Sequence, residues 1–254
     1  HHYAVINWSK KGPSTEYNEE LYFASMKSAL RMEEYVTRHS TIMDKYDPGK
    51  RVALVVDEWG GWYEVEPGTN PGFLYQQNTI RDAMIAGVTL NIFNSHSDRV
   101  RMANLAQTVN VLQAVILTNK EKMITTPTYH VMEMYNVHQD ATMLPIQLTT
   151  NDYVFGNEKL PAVSVSASKN AAGVTNISFV NIDASIEQTV TIDLRGTKYS
   201  AVTGRILTSK KLQDYNSFDE PNKIQPTVFN GAKLSGTTMQ VKLPPFSVVV
   251  LTLK

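Results

Sequence analysis

The stretch that most constrains this chain is Arg51-Val52-Ala53-Leu54-Val55-Val56-Asp57-Glu58-Trp59-Gly60-Gly61-Trp62-Tyr63. Five consecutive apolar residues after Arg51 are too few for a lone helix. They suit a strand over 51–57 buried on both faces, as in a parallel sheet covered by helices. The run stops at two carboxylates, two tryptophans and two glycines. In parallel α/β folds reactive groups collect at strand ends, where loops vary on a fixed scaffold. Asp57 and Glu58 are neighbours on a strand, so their side chains are expected on opposite faces and only one can enter a given cleft. Glu58 is the candidate: a nucleophile or base beside flat aromatic rings suits sugar chemistry. The plainer reading is a strand-end acid. Asp57 is then expected to satisfy backbone N–H groups or an arginine behind the strand. Trp59 and Trp62 read equally as core aromatics or as a platform.

With 254 residues the chain can form one large domain or two modest ones. Lys+Arg and Asp+Glu are both 24, so no basic surface argues for a nucleic-acid or membrane partner. No cysteine is present, which excludes disulfides and thiolate metal sites and leaves the compartment open. No apolar run reaches the length of a membrane span, and the opening residues do not read as a signal peptide. His39, His96, His130 and His138 are not spaced as a metal set and read as structural or surface histidines, with His96 near enough to a strand end to border a cleft. Met132 and Met134 read as packing. Neither a phosphate-binding glycine loop nor a nucleophilic serine motif occurs, and no metal or other cofactor is expected.

Taken in order, residues 1–8 read as a strand end and Lys11-Gly12-Pro13-Ser14 as a loop. Ser14 or Thr15 is the expected cap of a helix running to about Asp44, with Glu16, Glu19 and Glu20 favourable near its N-terminus. Pro48-Gly49 ends it. After the 51–57 strand comes a long loop over 64–73, then an expected helix over 75–86. Gly87 punctuates, and 88–94 reads as another buried strand. Ser95-His96-Ser97-Asp98 offers caps for a third helix over 99–114, and 127–137 reads as a further helical turn or two. Alternating strands and helices indicate a parallel sheet, either a doubly wound fragment or the tail of an eightfold barrel. From about Met143 the pattern changes. Short β-rich runs at 163–167, 176–180, 189–194, 199–202, 239–243 and 246–253 are separated by Asn170-Ala171-Ala172-Gly173, Arg195-Gly196 and Asn230-Gly231. That spacing predicts an antiparallel sandwich.

Four stretches carry a family resemblance: His1-His2-Tyr3, Val56 to Tyr63, Ser95-His96-Ser97-Asp98-Arg99-Val100 and Leu105-Ala106-Gln107-Thr108-Val109-Asn110-Val111. In order and spacing they resemble the α-L-arabinofuranosidases of glycoside hydrolase family 51, as does the Pro-Phe-Ser closing strand. The resemblance implies an α/β plus all-β architecture. Residues 1–142 would form the C-terminal strands and helices of a TIM (β/α)8 barrel, and 143–254 an antiparallel, jelly-roll-like β-sandwich. It implies a retaining mechanism with two carboxylates roughly 5–5.5 Å apart. Glu58 falls on the nucleophile position. His1 and Tyr3 fall on positions lining the sugar site, Tyr3 holding the nucleophile, while Trp62 flanks the furanose and Gln107 makes a polar contact. Read from pattern alone, His1-His2 also fits a tag remnant, and Gln107 a solvated or capping residue in a helical run.

The family's acid/base glutamate follows a Gly-Asn motif on an earlier barrel strand. Gly156-Asn157-Glu158 has the letters but lies among sandwich strands and reads as a turn, so Glu158 is rejected for that role. The partner carboxylate is expected upstream of His1, on an N-terminal half that acts as a companion chain and covers the apolar edges of a three-strand remnant. The expected activity is release of arabinose from arabinose-containing oligo- or polysaccharides, and the resemblance also implies a homo-oligomer. Two alternatives remain open: a β-1,4-glucanase or xylanase on the same scaffold, and a non-catalytic carbohydrate-binding or structural fragment.

Overall fold

The computed structural model describes residues 1–195 and 197–254; Gly196, half of the expected Arg195-Gly196 turn, lies outside the described residues. The first half runs β1 (His2–Ala4), α1 (Glu19–Tyr46), β2 (Leu54–Gly61), α2 (Ile80–Ser95) and β3 (Val100–Leu105). A hairpin of β4 (Ile116–Asn119) and β5 (Lys122–Thr125) then leads into α3 (Pro127–Tyr135). β1, β2 and β3 form one sheet in that order, both pairs parallel.

α1 carries the helical stripe its sequence promised. Tyr22, Met26, Ala29, Met32 and Val36 are buried along one face. Its cap is Asn18, whose side chain accepts the Leu21 N–H at 3.0 Å, and not Ser14 or Thr15. Ser14 instead donates its hydroxyl to Glu66. Glu19 and Glu20 sit in the first turn as expected.

The largest correction concerns α2. Residues 88–94, expected as a buried strand, are the second half of this helix, and its start lies five residues beyond the expected one. Thirteen of its sixteen residues are buried, so no polar face marks a 3.6-residue period. Gly87 does not punctuate but allows contact: a Cβ there would sit 2.7 Å from Cγ2 of Val180. The expected helix over 99–114 is β3 followed by irregular chain, in which Asn110 and Leu112 adopt positive φ. Ser95-His96-Ser97-Asp98 therefore ends α2 instead of capping a third helix.

The second half is antiparallel. Its strands are β6 (Thr142–Met143), β7 (Asp152–Phe155), β8 (Glu158–Pro161), β9 (Val163–Lys169), β10 (Thr175–Asn181), β11 (Gln188–Asp193), β12 (Val202–Leu207), β13 (Thr227–Val228), β14 (Ala232–Ser235), β15 (Thr238–Leu243) and β16 (Ser247–Leu253). One six-stranded sheet has the order β13-β12-β16-β10-β9-β6 and a three-stranded sheet the order β11-β15-β14. Their inner faces build the sandwich core. β12 begins where the expected 199–202 run ends. Every residue of β10 is buried, because α2 covers one face and the second sheet the other.

One hydrophobic core runs from Trp59 and Phe93 through Met84 and Val88 to Phe179, Val249 and Leu251. Polar ties cross the same interface. Asn91 Nδ2 donates to Ser164 Oγ at 3.2 Å, and its Oδ1 accepts from Ser166 at 2.8 Å and Tyr135 at 3.0 Å. His138 sits between the hydroxyls of Ser168 (2.7 Å) and Ser178 (2.6 Å), and burial pushes its pKa down to about 4.

Candidate active site

The three parallel strands end together. Tyr3 pairs with Gly60 in register, and the Ala106 N–H just past β3 donates to the Trp59 carbonyl at 2.9 Å. Tyr3, Ala106 and Leu112 form a small buried cluster there, with Trp62 packed against it. β2 loses its register with β3 between Val56 and Trp59. Val56 and Trp59 therefore both pack in the core, although a regular strand would put residues three apart on opposite faces. Trp59 meets Phe93 edge to face at 5.6 Å. The irregularity keeps Glu58 out of that core, with 35% of its side chain exposed, and bulges of this kind commonly re-aim a side chain beside a site.

Glu58 Oε2 lies 3.6 Å from His1 Nδ1. Burial first, then hydrogen bonding to Glu58 and its charge, hold the Tyr3 hydroxyl well above the usual tyrosine range. His1, Tyr3, Glu58, Trp62 and Trp8 line one open cleft of about 770 Å³ that continues behind β1 to α1. Asp57 is exposed, and its carboxylate makes no hydrogen bond among the described residues, so the expected partner behind the strand is not there. Nor is β2 buried on both faces. Val55 is 41% exposed and its neighbour across the pair, Met102, 56%.

Beneath the strand ends lies a layer that sequence reading missed. Gln113 is fully buried, and its Oε1 accepts the Gly61 N–H at 2.6 Å. Its Nε2 donates to the Asp82 carbonyl at 2.7 Å and to Thr128 Oγ1 at 3.1 Å. Gln76 Oε1 accepts the Tyr63 N–H at 2.8 Å while its Nε2 donates to the Gly61 carbonyl at 3.2 Å. Two glutamine amides thus grip the backbone on either side of Trp62. Gly60 makes the grip possible: its φ is +147°, and a Cβ would meet Gln113 Cβ at 3.3 Å. Arg81 is sandwiched between the rings of Tyr17 (3.8 Å) and Tyr63 (3.6 Å) and donates to the carbonyls of Pro13 and Ser14. The adjoining Asp82 caps α2 through Thr79, and burial pushes its pKa up to about 6 against the opposing charge of Arg81. A glutamine in an irregular segment carries no local signal of such a role.

With this arrangement in hand, the comparisons decide the family. The α-L-arabinofuranosidase C-terminal domain family matches residues 57–247. The chain belongs to that family. An intracellular exo-α-L-arabinofuranosidase of Bacteroides ovatus is 50% identical over the whole of this chain, which covers 50% of that relative. The crystal structure of the GH51 arabinofuranosidase from Xanthomonas axonopodis pv. citri superimposes with a TM-score of 0.97 at 48% identity, covering 99% of this chain and 51% of that one. The arabinose complex of a Thermotoga maritima α-L-arabinofuranosidase, 23% identical, shares the fold with a TM-score of 0.78 over 91% of this chain and 49% of its own. The chain therefore spans about half the length of the relatives it matches.

Within this arabinofuranosidase-family chain, His1, Tyr3, Glu58 and Trp62 come together. His2, paired within β1, sends its ring to the Ser28 carbonyl at 2.9 Å. Gln107 lies two residues past the end of β3 and not in a helical run; its side chain is exposed, makes no hydrogen bond among the described residues and does not line the cleft. His96 does not border the cleft, because it closes α2 at the opposite end of the sheet and pairs with Glu33 at 2.7 Å. Glu158 follows Gly156 (φ +59°) in the β7–β8 turn, pairs with Lys27 and does not line the cleft. Among the described residues no group of three His, Asp or Glu side chains could hold a metal ion, and no helix is long and apolar enough to cross a membrane.

Proposed function

We propose that this chain supplies the nucleophile side of a retaining exo-α-L-arabinofuranosidase acting on terminal arabinofuranosyl residues of arabinoxylan, arabinan or their oligosaccharides. The observation that carries the reading is the Glu58 carboxylate at the end of β2, beside the Tyr3 hydroxyl and His1 and next to the ring of Trp62. Glu58 attacks the anomeric carbon, and a second carboxylate protonates the departing oxygen and later deprotonates the incoming water. Tyr3, whose hydroxyl lies beside the Glu58 carboxylate, orients it. His1, Trp62 and Gln107 bind the sugar, and contacts to its hydroxyls accelerate the reaction to the extent that they strengthen in the transition state.

The second carboxylate belongs to a companion N-terminal segment outside these 254 residues. That segment completes a (β/α)8 barrel of which residues 1–142 form the last units, with 143–254 as the sandwich. Support comes from the apolar face left open by Val55 and Met102 and from the half-length match to the relatives. Homo-oligomerisation is part of the same reading. A β-1,4-glucanase or xylanase is not favoured, since the relatives near 50% identity are named for arabinofuranoside cleavage.

The test is Glu58→Gln in the complete enzyme, assayed on an aryl α-L-arabinofuranoside. Turnover is expected to fall more than ~10³-fold with the fold intact, as for loss of a covalent nucleophile. Near-normal turnover overturns the assignment.

A further inference from the structure

Trp8 is 59% exposed at the mouth of the cleft that Glu58 lines. A single exposed tryptophan would mean little, but this one is held in place. Its ring meets Trp62 edge to face at 5.6 Å and Tyr3 at 6.4 Å. Edge contacts fix the orientation of a ring while leaving a broad face open. The backbone beneath it is closed by Asn7, whose Oδ1 accepts from Ser9 N–H at 2.9 Å and Ser9 Oγ at 2.7 Å, while the Asn7 carbonyl accepts from Lys10. Lys11 returns over this turn, donates to the Trp8 carbonyl at 3.3 Å, and sits 5.8 Å and 5.6 Å from the centroids of Trp8 and Trp62. An aromatic ring held in place and still 59% exposed, with the Lys11 ammonium over one side of it, matches a sugar ring, which offers C–H groups from its face and hydroxyls from its edge.

We propose that Trp8 and Lys11 form the subsite for the sugar residue on the leaving-group side of the scissile bond, one ring beyond the Trp62 wall. Trp8 stacks on the face of that sugar and Lys11 donates to a hydroxyl. The ligand is a xylopyranosyl or arabinofuranosyl unit bearing the terminal arabinofuranose. The proposal rests on the reading of Glu58 as nucleophile, since that fixes which side of the bond Trp8 occupies.

The experiment compares Trp8→Ala, Trp8→Phe and Lys11→Met in the complete enzyme on α-L-arabinofuranosyl fluoride, whose leaving group has no ring, and on arabinoxylo- and arabino-oligosaccharides. Trp8→Ala is expected to raise KM for an oligosaccharide about tenfold, the scale of one lost aromatic anchor, and to leave the fluoride within about twofold. Trp8→Phe restores most of the loss, and Lys11→Met gives a smaller loss of the same kind. A larger effect on one oligosaccharide than the other identifies the sugar. Equal losses on fluoride and oligosaccharide, or no loss on either oligosaccharide, overturn the proposal. Calorimetric binding of the same oligosaccharides to Glu58→Gln, with and without Trp8→Ala, scores the subsite separately from turnover. If Glu58→Gln stays active, the nucleophile assignment fails, while an unchanged affinity on Trp8→Ala defeats the subsite.

Discussion

The two ends of the parallel sheet are held by opposite chemistry. Where β2 and β3 begin, charge does the holding. Buried Arg99 donates to Asp47 Oδ2 and to the Val52 carbonyl, each at 2.9 Å, and pairs with Asp44 as well, while Lys50 pairs with Asp98. Where the strands finish, neutral amides do it: Gln113 and Gln76 take the N–H and carbonyl of Gly61 and the N–H of Tyr63. Two acids divide the same way. The Val52 N–H, and then Arg99, keep Asp47 below the usual carboxylate range, whereas burial pushes Asp82 up to about 6. A unit charge 4 Å away at an effective dielectric near 20 is worth roughly 4 kcal/mol. An ionic clamp on the Gly60–Tyr63 backbone would bias the neighbouring Glu58 carboxylate; an amide clamp fixes the same atoms without adding charge. Arg99, Asp44, Asp47, Lys50 and Asp98 thus gather at the end of the sheet away from Glu58.

Four substitutions test this contrast. Glu58→Gln should have the largest effect, the loss of turnover described above, with little change in Tm. Gln113→Leu leaves the Gly61 N–H buried and unpaired beside Trp62. It should lower kcat roughly tenfold or more with KM little changed, because small displacements of a reacting group are costly. Equal changes in kcat and KM, or none, would break the positioning role. Arg99→Met should reverse the pattern: Tm falls by about 5 °C or more, while kcat/KM of the folded enzyme at 25 °C stays within about twofold. A large loss of kcat/KM at unchanged Tm would mean the two ends are not separate in function.

Asp82→Asn gives the smallest effect and is read against pH. The folded pKa of Asp82 is raised above its ordinary 3.8 to about 6, so its contribution to stability is present at acid pH and lost as pH rises through about 6. The Tm of Asp82→Asn relative to the parent should therefore increase between pH 4 and pH 7. A constant difference across that range would show that Asp82 does not titrate differently on folding.

The sandwich was legible because its signals are local. β9, β10, β11, β15 and β16 each start within one residue of a β-rich run, and the Asn170–Gly173 turn closes through the Gly173 N–H on the Asn170 carbonyl. β12 was missed at 199–202, where Tyr199 is taken up by a hydrogen bond to Thr175. The α/β half was legible in number but not in place. Three parallel strands were expected and three exist, yet the third moved from 88–94 to 100–105, because a helix buried on all sides reads as an apolar strand. At the site, Glu58 stood out in sequence as a carboxylate closing an apolar run. His1, Tyr3 and Trp62 were legible through a family resemblance. Gln76 and Gln113 were not, since their part depends on contacts 13 to 52 positions away in the chain.

Gly87 has a further consequence. Through it, one helix touches the sheet that ends at Glu58 on one side and the sandwich strands at Val180 and Val248 on the other. The sandwich is therefore not a portable module that could be exchanged for another β-sandwich. A replacement would have to offer α2 a surface with the same hollow, or the strand ends at Glu58 would lose their floor.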